Sequence, residues 1–315
     1  MKAVQFIEHG EADVLQLVDL PMPRPEAGEV LIKVAAAGVN YADIWQRKGT
    51  SPRPLPLPYV PGYEVAGTIE STGDGVTSVS VGQRVMAWLP SGGYAEYAVA
   101  PAAQTIPLPA ELSEAEATAL LSQGPTAVGL LNTGNYASVL VLAATGGVGS
   151  LLVQVAKNRG MRVIAAVGSA TKKTAALANG ADAAVTYADT DWVQQVRTAT
   201  DGWGVAASFD AVGGEVGAQA LQALSPGGTA VIYGAASGEP TRLEAQQLMQ
   251  QAQAVRGYSV FAEMSKIRQY TDELLDYYKA GKLKLVVQMY PISAVQTAQH
   301  DLEFRRTQGK VVLLF

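Results

Sequence analysis

Six residues near the middle of the chain, Ala144-Thr145-Gly146-Gly147-Val148-Gly149, have the composition of a phosphate-binding turn. Five apolar residues, Val139-Leu140-Val141-Leu142-Ala143, lead into them as a buried strand would. Val148–Arg159 follows with apolar residues at 148, 151, 152, 155 and 156, all on one helical face. Ala144, Gly146 and Gly149 hold the small-residue places of G-x-G-x-x-G, with alanine standing first. Missing side chains let the backbone approach a pyrophosphate, while a helix N-terminus offers N–H groups and a positive dipole end. Gly146, Gly147 and Val148 are the candidate pyrophosphate residues. A glycine turn that serves only close helix–strand packing is the competing reading.

The segment after the second expected strand, Arg162–Val167, chooses between dinucleotides. An NAD site wants Asp or Glu about 20 residues beyond the glycines, accepting from the ribose 2′-OH. The first acidic residue after Gly149 is Asp182, and the loop beyond Val167 carries Ser169, Lys172 and Lys173 instead. Without a carboxylate there is no repulsion, and lysines supply counter-charge for a 2′-phosphate, so the expected cofactor is NADPH. Lysines on a solvated helix face are the plainer alternative.

Composition removes other chemistries. The 315 residues include no cysteine and only two histidines, His9 and His300. Disulfides, thiolate nucleophiles and cysteine-bound zinc are thereby excluded, and no metal site is expected. A net charge of −5 gives no general attraction to nucleic acid or anionic membranes. No apolar run is long enough to span a bilayer, and the N-terminus lacks a signal-peptide core, so a cytoplasmic protein is expected.

Positioning these groups requires more than one core at this length, and two domains are expected. The first ~120 residues read as β-rich, with Val30, Ile32 and Val34 alternating with Leu31 and Lys33. Five prolines between Pro52 and Pro61 exclude helix and central strand there, leaving a surface loop. Ser113 and Glu116 have capping-box spacing. Strands then alternate with helices: Val139–Ala143, Arg162–Val167, Ala183–Tyr187, Ala206–Val212 and Thr229–Gly234, the pattern of an α/β parallel sheet. Ile267, Tyr270, Leu274, Leu275 and Tyr278 mark an amphipathic helix, and Val311–Phe315 reads as a closing strand.

Longer segments carry a resemblance. They begin with Ala37-Gly38-Val39-Asn40-Tyr41-Ala42-Asp43, Pro61-Gly62-Tyr63-Glu64, Val81-Gly82-Gln83-Arg84-Val85 and Gly93-Tyr94-Ala95-Glu96-Tyr97. Gln123-Gly124-Pro125-Thr126-Ala127, the glycine turn, Phe209-Asp210-Ala211-Val212-Gly213, Tyr233-Gly234 and Gly309-Lys310-Val311-Val312 follow in order. Across essentially the whole chain this resembles the zinc-lacking quinone oxidoreductase (ζ-crystallin-like) branch of the medium-chain dehydrogenase/reductase superfamily. The resemblance implies a Rossmann-type doubly wound parallel sheet, residues 122–255, inserted into a GroES-like β-rich catalytic domain formed by 1–121 and 256–315.

Zinc-dependent relatives carry Cys, His and Cys at the places held here by Asn40, Tyr63 and Gln123. The implied activity is metal-free transfer of a hydride or electron from NADPH to a quinone or another α,β-unsaturated carbonyl. An enal, enone or enoyl-thioester double-bond reductase is the alternative among enzymes. An NADPH-binding crystallin-like or RNA-binding protein is the alternative of another class, and the negative net charge speaks against RNA. A homodimer is implied.

By the same resemblance, the Asn40 amide donates to the acceptor oxygen or holds the nicotinamide ribose. Tyr63 is a candidate hydroxyl donor, as is Tyr41. Trp45 stands where relatives often carry tyrosine, and its indole can line a flat pocket without shuttling a proton. Asp43 reads as a satisfied polar residue. Thr126 is implied near the nicotinamide, and Ser169 and Lys172 at the 2′-phosphate. Tyr187 is implied beside the adenine or 2′-phosphate, Tyr233 and Gly234 at the end of the fifth strand, and Tyr258 as a backbone contact. Arg305 and Lys310 either touch the cofactor or are surface charges.

Overall fold

The alternation at Val30, Ile32 and Val34 becomes the strand Glu29–Val39, which lies inside a seven-stranded sheet. The computed structural model describes residues 1–51 and 55–315, so part of the proline-rich loop, residues 52–54, lies outside the described residues. The chain divides into two units, Met1–Ser122 with Val286–Phe315, and Gln123–Leu285.

In the first unit, Glu29–Val39 pairs antiparallel with Glu64–Thr72, Tyr97–Pro101 and the closing strand, here Lys310–Leu314. One face buries Ile32, Val39, Val65, Val85, Val311 and Leu313 in the main core. On the other face, Ala36 and Val312 pack on Ala115 of the helix Glu114–Ala119, whose start is capped by Ser113 and Glu116 as the spacing predicts. Register decides what meets at the strand's end. Val39 lies opposite Val311 and Ala37 opposite Val65. Glu64 and Lys310 therefore flank Gly38 and Asn40 from the two neighbouring strands.

The second unit is a six-stranded parallel sheet. Its spatial order is Ala183–Thr186, Arg162–Val167, Ser138–Leu142, Val205–Asp210, Leu224–Ile232 and Ala254–Gly257. Counted along this unit the order is 3-2-1-4-5-6, the doubly wound Rossmann arrangement. The sixth strand, Ala254–Gly257, is mostly exposed, so no apolar run announces it in the sequence.

Residues 256–285 require a correction, because they belong to the second unit and not to the β-rich one. The helix Ile267–Lys279 buries Ile267, Tyr270, Leu274 and Leu275. Arg159 pairs with its Glu273 at 2.9 Å, and the Gln154 carboxamide exchanges hydrogen bonds of 3.0 and 2.7 Å with the Lys284 backbone. Periodicity reveals such a helix but not which core receives its apolar stripe. Among the described residues no helix is long and apolar enough to cross a membrane.

Candidate functional site

The strand Ser138–Leu142 ends at Ala143, whose φ of 50° is left-handed, and the chain reaches Gly146 at the N-cap of the helix Gly147–Asn158. The Gly146 N–H donates to Ala143 O at 2.9 Å and closes the turn. Gly149 leaves no space for a side chain, since a Cβ there would stand 2.8 Å from Ala144 Cα. Bringing helix and strand this close is the work of the third glycine in a dinucleotide fingerprint. Gly146, Gly147 and Val148 remain partly exposed. The first N–H groups of any helix lack intrahelical acceptors, so they can receive an anion here. Close packing and a helix N-terminus coexist in this one turn, and its residues fit a pyrophosphate.

Beyond Val167, Ser169 opens the short turn Ala170–Lys172, its hydroxyl 2.9 Å from that of Thr171. Tyr187 follows the neighbouring strand, its N–H on Val167 O at 3.1 Å. A Cβ on Gly168 would stand 3.0 Å from the Tyr187 hydroxyl. Ser169, Lys172 and Tyr187 thus gather at the ends of two adjacent strands, on the side where a ribose-binding acid would stand. Asp182 is elsewhere. Its Oδ2 accepts from Val163 N–H at 2.7 Å, and it pairs with Lys157, at the beginning of the strand Arg162–Val167. Lys173 lies 3.7 Å from Asp189.

The other cofactor residues differ in their engagement. Thr126 is buried within the helix Gln123–Leu131. The Tyr233 N–H donates to Asp210 O at 2.9 Å, and Gly234 runs so close to Ala211 that a Cβ would meet its carbonyl oxygen at 3.0 Å. Tyr258 donates its hydroxyl to Glu263 at 3.1 Å and its N–H to Ile232 O at 2.9 Å. Its ring covers Gly129. Arg305 is exposed, with a left-handed φ of 59°, just after the helix Val295–Glu303.

In the β-rich unit, Asn40 caps the helix Tyr41–Lys48. Its Nδ2 donates to Glu64 Oε1 at 2.7 Å, and its Oδ1 accepts from Lys310 Nζ at 2.9 Å. Lys310 also donates to Val39 O at 3.2 Å and forms a tight ion pair with Glu64. Lys310 is 1% exposed, so the expectation of a surface charge is wrong. Nor is its ammonium available to a cofactor, because three N–H donors meet three acceptors within this cluster.

Asp43 is more than a satisfied polar residue. Its Oδ2 accepts from the Asn40 N–H and the Tyr94 hydroxyl, each at 2.8 Å, while its Oδ1 is buried without a partner. Burial strips the carboxylate of water and lifts its pKa to about 7, against the pull of those donors. Tyr63 stacks on Trp88 with centroids 5.4 Å apart. Burial, and then the carboxylates of Asp43 and Glu64, push its phenol well up, so it keeps its proton and can donate only a hydrogen bond. Trp45 is half-buried with Tyr41 edge-on at 5.7 Å. Among the described residues no group of acidic or histidine side chains is arranged to hold a metal ion.

Residues 26–110 match the family described as alcohol dehydrogenase GroES-like domain, and 147–279 the one described as zinc-binding dehydrogenase. A probable quinone oxidoreductase of Schizosaccharomyces pombe is 34% identical, covering 99% of this chain and 96% of that protein. The chain belongs to the quinone oxidoreductase family of the medium-chain dehydrogenases/reductases. A 2-haloacrylate reductase of a Burkholderia species is 33% identical, over 92% of both chains. The crystal structure of Escherichia coli quinone oxidoreductase complexed with NADPH superposes with a TM-score of 0.94 at 30% identity, covering all of both chains.

Within this quinone oxidoreductase framework, three residues escaped sequence reasoning as site groups: Gly38, Glu64 and Tyr94. All lie in motifs that carry the resemblance, yet their meaning depends on strand register. Glu64 and Lys310 are 246 positions apart, and only the shared neighbour strand brings them together. Gln123 Oε1, buried without a partner, lies against Gly147, so a Cβ on that glycine would strike the Gln123 carboxamide.

Proposed function

We propose that this protein is an NADPH-dependent quinone oxidoreductase that passes a hydride or an electron to a quinone or related conjugated carbonyl without a metal. NADPH supplies the reducing equivalent. The observation that carries the cofactor choice is the strand-end set Ser169, Lys172 and Tyr187, with the first acid after the turn in sequence, Asp182, bound to Val163 N–H. The turn Gly146–Gly149 takes the pyrophosphate, and Thr126, Tyr233 and Gly234 complete the hold. Tyr258 contributes backbone and Arg305 a flanking charge.

A quinone is electron-poor and spreads incoming charge over its ring, so its reduction needs orientation and hydrogen-bond donors more than a Lewis acid. Asn40 offers an amide N–H to the acceptor oxygen, Trp45 a flat wall and Tyr63 a hydroxyl that retains its proton. The product oxygens take protons from water. Absence of cysteine supports zinc independence, because the thiolates that hold zinc in such sites are missing. The reading includes a cytoplasmic homodimer. The outer strand Ala254–Gly257, paired only with Leu224–Ile232 among the described residues, supports a partner at that edge.

The similarity to a 2-haloacrylate reductase favours a second reading, reduction of an activated C=C bond. Initial rates with para-benzoquinone, phenanthrenequinone, hexenal and crotonyl-CoA separate the two. Quinone turnover with NADPH is the expected result, and turnover of the alkenes alone overturns it. NADPH binding without turnover of any acceptor would favour the crystallin-like alternative.

A further inference from the structure

Asn40 is gripped at both ends of its amide by opposite charges. We propose that Glu64 and Lys310 are positioning residues, a buried ion pair that locks the Asn40 amide in one orientation and leaves a single Nδ2–H to donate to the electron acceptor. The proposal rests on the reading of Asn40 as that donor.

An asparagine amide can rotate by half a turn and exchange its donor and acceptor ends. Here the exchange is forbidden. A flipped amide would set its NH2 against the Lys310 ammonium and its oxygen against the Glu64 carboxylate, at the 2.9 and 2.7 Å separations now occupied by hydrogen bonds. Glu64 and Lys310 are fully buried, Asn40 nearly so, and repulsion between like ends is strong where water is absent. One Nδ2–H goes to Glu64, and the other remains. Lys310 also draws charge toward Oδ1, which strengthens the remaining N–H as a donor.

The sheet makes room for this arrangement. Gly38 lies between the two partner strands, and a Cβ there would stand 2.6 Å from Lys310 Cε and overlap the Glu64 carboxyl. Holding the strands together does not require the pair, because both flanking strands already hydrogen-bond to Glu29–Val39. Nor does stability explain it, since apolar side chains of similar volume commonly replace a buried ion pair at no cost.

The test compares Asn40→Ala, Glu64→Gln and the double replacement Glu64→Leu with Lys310→Met. Quinone kcat and KM, NADPH affinity, thermal unfolding and the side-chain amide signal of Asn40 in selectively 15N-asparagine-labelled protein are measured. The apolar pair is expected to lower kcat roughly ten- to a hundred-fold. NADPH affinity and cooperative unfolding should stay near those of the wild type. Glu64→Gln keeps an oxygen for both partners and is expected to retain activity within about five-fold. In the wild type, the Asn40 amide proton that faces Glu64 should exchange slowly with solvent.

If Asn40→Ala loses activity while the apolar pair keeps wild-type kcat, positioning is overturned and the reading of Asn40 stands. If Asn40→Ala keeps wild-type kcat, the reading of Asn40 itself falls. Should the apolar pair not fold, the remaining arms decide. Rapid solvent exchange of that Asn40 amide proton in the wild type, or loss of activity in Glu64→Gln with its fold intact, overturns the proposal.

Discussion

The two units hold their functional groups by opposite means. In Gln123–Leu285 the proposed binding element is largely backbone: a glycine-rich turn, a helix N-terminus and a loop, residues 168–173, without an acid. In the β-rich unit it is side chains, a buried ion pair and a buried carboxyl that fix one asparagine. Backbone donors survive every substitution except proline and are otherwise lost only when bulk obstructs them. A charged cluster fails when one partner loses both its charge and its hydrogen-bonding atoms.

The largest effect should come from the charged cluster. Lys310→Met alone leaves Glu64 buried and unpaired, and a loss of about 3–5 kcal/mol in urea unfolding is expected. A loss below about 1 kcal/mol would mean that the carboxylate finds water, contrary to its burial. Next in size is obstruction of the turn. Gly149→Val pushes the helix away from Ala144 and should weaken NADPH about a hundred-fold by fluorescence titration, or about 2.7 kcal/mol. Unchanged affinity would show that the turn only packs.

Asp43 adds a pH signature to the β-rich unit. Its pKa is about 7 in the folded chain against 3.8 for the free group, so folding favours the protonated form. That contribution is complete below the free value and is lost as pH rises through about 7. Between those values a single such group costs up to about 1.4 kcal/mol per pH unit. Asp43→Asn mimics the protonated acid. Its stability relative to wild type, measured by denaturant unfolding, should rise by about 2.6 kcal/mol from pH 5 to pH 8. A pH-independent difference would place the ionisation elsewhere. The smallest effect concerns the 2′-phosphate: Lys172→Ala should raise KM about ten-fold for NADPH and leave NADH unchanged. Equal effects on both would remove Lys172 from that role.

The same contrast explains what was legible in the sequence. A site made of backbone leaves a compositional mark, because Gly146, Gly147 and Gly149 must be small wherever the rest of the chain goes. The loop after Val167 is likewise read locally, from Ser169 and Lys172 and the absence of acid. Five of the six parallel strands announced themselves as apolar runs, and the exposed edge strand Ala254–Gly257 did not. The ion pair left no local trace, since Lys310 reads as any lysine until register sets it beside Asn40. Asp43 and Tyr94, 51 positions apart, meet in the same way. The helix Ile267–Lys279 was visible, but its membership in the second unit depended on Gln154, Arg159 and Glu273.

The most direct test is calorimetric titration of the wild-type protein with NADPH and with NADH. The arrangement of Ser169, Lys172 and Tyr187, with Asp182 bound elsewhere, calls for NADPH to bind at least about ten-fold more tightly. Equal affinities, or tighter binding of NADH, would contradict it.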